Sequence, residues 1–360
     1  MKGASIDNAG SLESALVHLT RDILKRGLVA SAMIPMAGPD GSCPWTLIMD
    51  PDILDRSRPM PRVMSVQGAK ALASFTRSAV QGRVLAVMRP CEVRAAIELS
   101  KLDQIDLEGV VLLSMDCSGV FPMQKRNVGL EGSPDPSREE LRPLCRSCTD
   151  FTAAGDLSVV EQEGEYILVP LTDKGRELLE KSGMKADADL SAWSRGVQKL
   201  QEERRKTRDA GEEAIRQEIQ GLKGLAGMFS DCISCRACRT VCPVCYCRLC
   251  FIDMKDRRPS SGDLVDRSIQ SGSQRLVPNT LLFHIGRMAH MSLSCVSCGM
   301  CQDACPSGIP IGEIVSMVSS STTGIFGYKA GESPDEPLPL NTFRHDELHR
   351  FEDQGDDHGD

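Results

Sequence analysis

The first patterned stretch of the chain runs over residues 12–26, where Leu12, Ala15, Leu16, Leu19 and Ile23 recur at the spacing of one helical face. Short apolar runs follow at Ala30–Ile34, Trp45–Met49, Val84–Met88, Val110–Met115 and Tyr166–Val169, each the length of a strand. Helical periodicity returns at Gln67–Val80 and Glu92–Leu102. Alternation of this kind predicts an α/β domain over residues 1–170, with at least part of its sheet parallel.

Further along, the pattern changes character. Lys199–Gln220 carries 12 charges in 22 residues, with pairs such as Glu202 to Lys206 and Glu212 to Arg216 at helical spacing. No apolar seam accompanies them, so residues 171–228 read as a solvated, charged helical linker and not as a coiled coil. A cysteine-rich domain is expected over 229–328. Within it Asn279 is positioned to cap a helix containing Leu281, Leu282, Ile285 and Met288. His284, Met288, His290 and Met291 lie nearby, but with no C-x2-C-H in the chain they read as core or shielding residues and not as haem ligands. Residues 329–360, rich in Pro, Asp, Glu and His, read as a disordered acidic tail.

Charge and composition then narrow the classes. The formal charge is −8 and only 4% of residues are aromatic, so the chain lacks both the basic footprint and the stacking rings that nucleic-acid binding uses. No apolar run approaches the ~18–20 residues of a membrane span. Met1–Ser5 leads directly into the first patterned helix without an apolar leader, so a cytoplasmic protein is expected. In that setting 16 cysteines point to metal or redox chemistry and not to disulfides.

Their spacing is specific. Eleven of the 16 fall between Cys232 and Cys305, and they contain an internal repeat. Cys232, Cys235, Cys238 and Cys242 form C-x2-C-x2-C-x3-C followed by Pro243; Cys295, Cys298, Cys301 and Cys305 repeat it before Pro306. This is the bacterial ferredoxin run for a 4Fe–4S cluster, in which the fourth cysteine ligates the other cluster. One cubane is therefore expected on Cys232, Cys235, Cys238 and Cys305, and a second on Cys295, Cys298, Cys301 and Cys242. Structural zinc prefers separated C-x2-C pairs or pairs mixed with His, which these runs do not offer. Cys245, Cys247 and Cys250 fit neither spacing. They could ligate a further cluster with a remote thiol such as Cys43, or pack around the first.

Four more cysteines belong to the amino-terminal half. Cys91 follows the apolar run Val84–Met88 at the start of a helix, and Cys117 ends the run Val110–Met115. Both are thus expected at the carboxyl ends of neighbouring strands, where open α/β sheets bind ligands. The positive end of the helix dipole favours a thiolate at Cys91. Cys145 and Cys148 supply a compact pair, so the four could hold a third cubane; equally, two could be core thiols beside a lone pair. There is no G-x-G-x-x-G, P-loop or G-x-S-x-G. The residues alone give an electron-transfer protein with at least two clusters and no visible substrate site.

In order, Arg89-Pro-Cys-Glu-Val-Arg-Ala-Ala, Ser114-Met-Asp-Cys117 and Cys145-Arg-Ser-Cys-Thr-Asp-Phe-Thr152 resemble the beta-subunit family of coenzyme F420-reducing hydrogenases and formate dehydrogenases. The Cys-Pro-Val-Cys-Tyr-Cys and Gly-Arg-Met-Ala-His-Met stretches are similar to its formate dehydrogenase branch in particular. The likeness covers roughly residues 12–315. It implies an α/β domain holding FAD beside a proximal 4Fe–4S cluster on Cys91, Cys117, Cys145 and Cys148, fused to a two-cluster ferredoxin-like α+β module. It also implies a catalytic alpha subunit with a molybdenum or tungsten centre, or a hydrogenase-like one, and a soluble hydride carrier such as F420 or NAD(P). Arg89 stands where the family often has threonine, and is expected beside the flavin or as a surface residue capping the turn. Two other readings compete: a flavin-free relay and docking subunit, and an electron-input subunit of a heterodisulfide-reductase-like complex.

Overall fold

The computed structural model describes residues 2–7, 9–77, 82–124, 137–247, 250, 260–272 and 280–343. Eight strands form one sheet: β1 (Lys2–Ser5), β2 (Ser31–Pro35), β3 (Trp45–Ile48), β4 (Val84–Val87), β5 (Val110–Met115), β6 (Leu157–Gln162), β7 (Glu165–Pro170) and β8 (Ala188–Asp189). Their order is β3-β2-β4-β5-β6-β7-β1-β8. The centre is parallel, with β2 beside β4, β4 beside β5 and β5 beside β6; the remaining pairs are antiparallel. Every residue of β4 and β5 is buried, as expected of parallel strands covered on both faces, which read as continuous apolar runs.

Helices supply those covers. On one face α1 (Leu12–Lys25) and α5 (Asp173–Lys181) bring Leu16, Leu19, Ile23, Leu178 and Leu179 against Val87, Leu113 and Val159. On the other, α2 (Gly68–Arg77) and α3 (Pro90–Lys101) bury Leu72, Val93, Ala96 and Leu99 against Ala86 and Leu112. The Ser11 hydroxyl starts α1 by accepting the Ser14 N–H at 3.1 Å. At α3 the Glu92 carboxylate accepts the N–H of Arg89 at 2.9 Å and that of Gly68 at 2.9 Å, joining the starts of α2 and α3.

The expected strands are all present to within a residue or two, but β1, β6 and β8 lie outside the apolar runs. Each is held by cross-strand pairing rather than by its own pattern: the β6–β7 hairpin turns through Glu163 and Gly164, both at positive φ. Two domain limits need correction. Residues 171–190 belong to the α/β unit, since α5 packs on the sheet and β8 pairs with β1. The charged stretch forms α6 (Ser191–Glu218), which is not a solvated strut: it packs on β6 and on the last helix, and buries Arg204 and Ile215.

The carboxy-terminal unit is built from α7 (Gly221–Met228), α8 (Ala237–Val241), α9 (Ser261–Ser271), α10 (Thr280–Met291), α11 (Met300–Asp303) and α12 (Ile311–Phe326), with α4 (Pro143–Arg146) reaching it from the sheet domain. Phe229, Phe283, Met291, Ile311, Ile314 and Val315 form its core, and among the described residues the unit is helical where an α+β module was expected, all eight strands lying before residue 190. The proposed cap Asn279 lies outside the described residues. So does 344–360 of the expected tail. Part of the remainder, however, is clasped to α3: Gly331 N–H donates to Glu98 Oε1 at 2.7 Å, Arg94 donates to the Ala330 carbonyl at 2.9 Å, and Leu338 is buried in the same cluster as Leu99. Its polar composition hid this because the anchoring partners are backbone groups. Among the described residues no helix is long and apolar enough to cross a membrane.

Candidate iron–sulfur and cofactor site

The ends of β4 and β5 carry the first thiols into the centre of the molecule. Cys91 is the second residue of α3, Cys117 follows β5, and Cys145 and Cys148 lie on and just after α4. The Cys117 N–H donates to the Phe151 carbonyl at 2.8 Å, which ties its loop to the Cys145–Cys148 segment. Burial raises the Cys91 thiol well above its ordinary value, and the charges of Glu92, Cys298, Cys117 and Cys148 add to this. Burial raises Cys117 too, with Cys145 adding and Arg89 opposing. Cys148 is pushed up to about 12 by burial, then by Asp150, Cys145 and Cys117. The four expected proximal cysteines therefore sit within electrostatic reach of one another. Desolvation outweighs the helix-dipole effect expected at Cys91.

The ferredoxin-type cysteines separate into two groups. Cys232, Cys235, Cys238 and Cys305 line one cavity with Phe283, His284, Ile309 and Ile311. This is the crossed set, three thiols from the first run and the fourth from the second. Burial raises Cys232, with Cys305 and Cys235 adding, and raises Cys238, with Cys232, Cys235 and Cys305 adding. In the other group burial lifts Cys298 to about 11, with Cys295 adding, and raises Cys301, to which Cys298, Cys295 and Cys238 contribute. Cys242 is buried and shares the charge of Arg287 with Cys238, Cys245 and Cys301. Among the described residues no three His, Cys, Asp or Glu side chains converge tightly enough to hold a single metal ion. Cys245 donates to Met291 Sδ at 3.1 Å beside the Cys242 thiol, so it is a packed thiol at this group; Cys43 lies in the loop before β3.

His284 is a shielding residue. Its ring stacks on Phe229 with centroids 4.1 Å apart, its Nε2 lies 3.4 Å from Cys232 Sγ, and burial followed by the Arg287 charge lowers it to about 4, so it is neutral at pH 7.

The groups adjoin. Cys238 and Cys242 of the first run pack at one core with Cys295 and Cys301 of the second, and Cys298 packs at another with Cys91 and Cys145 of the proximal set. Arg142 holds that second junction. It is fully buried, donates to Asp303 Oδ2 at 2.6 and 2.9 Å, and donates to the Cys298 carbonyl at 2.6 Å.

Beyond Cys117 opens a cavity of about 1000 Å³, at the carboxyl ends of the parallel strands. Arg62, Arg89, Asp116, Phe151, Trp193 and Arg204 are among its lining residues. Arg89 is a buried wall residue and not a surface cap: it is 2% exposed, one terminal nitrogen donates to the Pro61 carbonyl at 2.5 Å, and its Nε has no partner. The Asp116 carboxylate is raised by burial, against hydrogen bonds from Thr152, the Glu161 N–H and Trp193 Nε1. Neither Arg142, Asp303 nor Arg204 carried a motif that would have singled it out; Asp116 lay within the Ser114-Met-Asp-Cys117 stretch, which gave it no role of its own.

An α/β sheet joined to a carboxy-terminal iron–sulfur domain is thus the class of protein, and residues 228–309 match the family described as a 4Fe-4S dicluster domain. Over most of its length the chain is related to beta subunits of F420-dependent formate dehydrogenase. One, from Methanocaldococcus jannaschii, is 24% identical over 301 residues, covering 71% of this chain and 76% of the relative. Subunit beta of F420-dependent formate dehydrogenase 1 from Methanococcus maripaludis is 26% identical over 381 residues, covering 92% and 94%. A chain of the F420-reducing [NiFe] hydrogenase complex from Methanosarcina barkeri superposes with a TM-score of 0.45 at 16% identity, over 58% of this chain and 86% of that one. The resemblance drawn from the cysteine motifs agrees with the two formate dehydrogenase beta subunits, and the chain is an oxidoreductase subunit.

Proposed function

We propose that the chain is the beta subunit of a formate dehydrogenase-type complex, working in the cytoplasm between a catalytic alpha subunit and a soluble hydride carrier. F420 is the carrier favoured, because it is the one the relatives are named for. The observation that carries this reading is that the thiol groups adjoin one another: Cys238, Cys242, Cys295, Cys301 and Cys305 pack at one core, Cys298 packs with Cys91 and Cys145 at another, and Cys117 borders the large cavity. A relay needs such adjacency; a zinc-stabilised interaction module has no use for it.

In this reading Cys232, Cys235, Cys238 and Cys305 hold one 4Fe–4S cluster, Cys295, Cys298, Cys301 and Cys242 a second, and Cys91, Cys117, Cys145 and Cys148 a third. The large cavity holds FAD, with Arg89 at its wall. Two features of the chain fit a flavin there. The volume is at the upper end for a ligand pocket, and the unpartnered Arg89 Nε offers a buried, charged donor to an anionic or carbonyl edge. When bound, clusters pass single electrons and a flavin exchanges them in pairs with a hydride carrier. The chain's own part is to ligate, to space and to keep water out: Met64, Val120 and Met300 pack over Cys91, Cys145 and Cys298, and His284 with Phe229 covers Cys232.

The test is direct. Anaerobically purified protein, reduced with dithionite and freed of excess reductant, is mixed with oxidised F420 or with NAD(P). Bleaching of F420 absorbance in proportion to flavin content is expected. Flavin-replete protein that leaves F420 unchanged contradicts the carrier assignment.

A further inference from the structure

We propose that Arg204, on the charged helix α6, is a positioning residue that sets the reduction potential at the junction between the large cavity and the proximal thiol group. The inference deepens the functional reading above and rests on its proximal cluster.

Arg204 is only 8% exposed, although it sits in the most charged stretch of the chain. Its guanidinium lies over the Phe151 ring, 4.3 Å from the centroid, and one terminal nitrogen donates to the Cys148 carbonyl at 3.1 Å. Phe151 in turn accepts the Cys117 N–H through its carbonyl at 2.8 Å. One side chain therefore braces both thiol-bearing loops. Its Nε is buried without a partner, and the residue lines the large cavity. Among the described residues no carboxylate lies within ion-pair distance of it, in contrast to the neighbouring Arg205, which pairs with Glu202 at 2.8 Å. Burial lowers its proton affinity and the Arg138 charge adds to this, while Cys148, Cys117 and Cys145 act to restore it. A buried cation with no counter-carboxylate is costly to keep. It is offset where negative charge collects on the thiolates and on whatever the cavity holds.

Such a charge stabilises the reduced, more negative form of its neighbours, so it raises their potential. Removing it should lower one potential and leave distant ones unchanged. This also accounts for α6 being pressed between the two units: the helix carries a working side chain at this wall.

The experiment is an anaerobic redox titration of the full chain, wild type against Arg204→Gln, Arg204→Met and Arg204→Lys, followed by electron paramagnetic resonance and flavin absorbance, with iron counted on each sample. Gln and Met should move one of three cluster waves to lower potential by at least a tenfold change in its reduction equilibrium, about 59 mV for one electron. Lys, which keeps the charge, should restore most of the shift. Two neutral replacements of different shape guard against a single variant failing to load iron. Three waves at wild-type potentials in an iron-replete neutral variant overturn the role of Arg204. A wild-type protein with only two clusters overturns the proximal cluster itself, and the iron count separates that failure from the first.

Discussion

The pair Arg142–Asp303 fixes the junction between the sheet domain and the iron–sulfur unit, and its removal has a calculable cost. Arg142 and Asp303 are 1% and 4% exposed in their side chains. The guanidinium makes two bonds to Asp303 Oδ2, one to the Cys298 carbonyl, and contacts the sulfurs of Met64 and Met300. Asp303 also accepts the Met123 N–H at 3.2 Å. Asp303→Ala leaves a buried cation with a single carbonyl partner. Breaking a buried pair on one side costs about 3–5 kcal/mol, whereas replacing both partners by apolar groups of similar volume is often neutral or better. With a urea slope of about 3 kcal/mol/M, Asp303→Ala should lower the urea midpoint by about 1–2 M. Arg142→Met combined with Asp303→Leu should recover most of that loss. The midpoint is read anaerobically from the fluorescence of Trp45 and Trp193, with iron counted on the same samples. A shift below about 0.15 M for Asp303→Ala, which at that slope is about 0.5 kcal/mol and so within the range expected of a surface change, would refute the reasoning.

Other outcomes follow from the same contacts. At Gly299 φ is +76°, and an added Cβ would fall 2.5 Å from Arg142 Cδ, so Gly299→Ala should lower the melting temperature by several degrees, an effect of about 1–3 kcal/mol; an unchanged melting curve would mean the junction is looser than described. Cys298→Ser and Cys148→Ser should each remove about four irons per chain from a different cluster, and unchanged iron would return the altered residue to a structural thiol. Truncation after Phe343 should leave stability and iron unaltered, while truncation after Gly327 removes Tyr328, Ala330, Gly331 and Leu338 from α3 and should lower the melting temperature clearly; equal melting points for the two would show that the clasp contributes nothing.

How much of this was legible beforehand depended on where the information resides. Cysteine spacing is local, so the ferredoxin runs and the crossing of Cys305 into the first set could be read off the chain, and the structure puts those four thiols around one cavity. Buried parallel strands announce themselves as apolar runs, which is why β4 and β5 were clear and with them the placement of Cys91 and Cys117. Strands β1 and β8, four and two residues long, exist only through their partners. The charged helix misled for a different reason: its composition is that of a solvated surface, yet Arg204 within it is buried, which no count of charges records. Arg142 was equally silent, since its partner lies 161 residues away.

The most direct test of the central claim is the iron and flavin content of one anaerobically purified sample. About twelve irons and one FAD per chain are predicted, from three cubanes and one occupied cavity. About eight irons with no flavin would contradict the account, leaving a two-cluster relay in which Cys91, Cys117, Cys145 and Cys148 are core thiols.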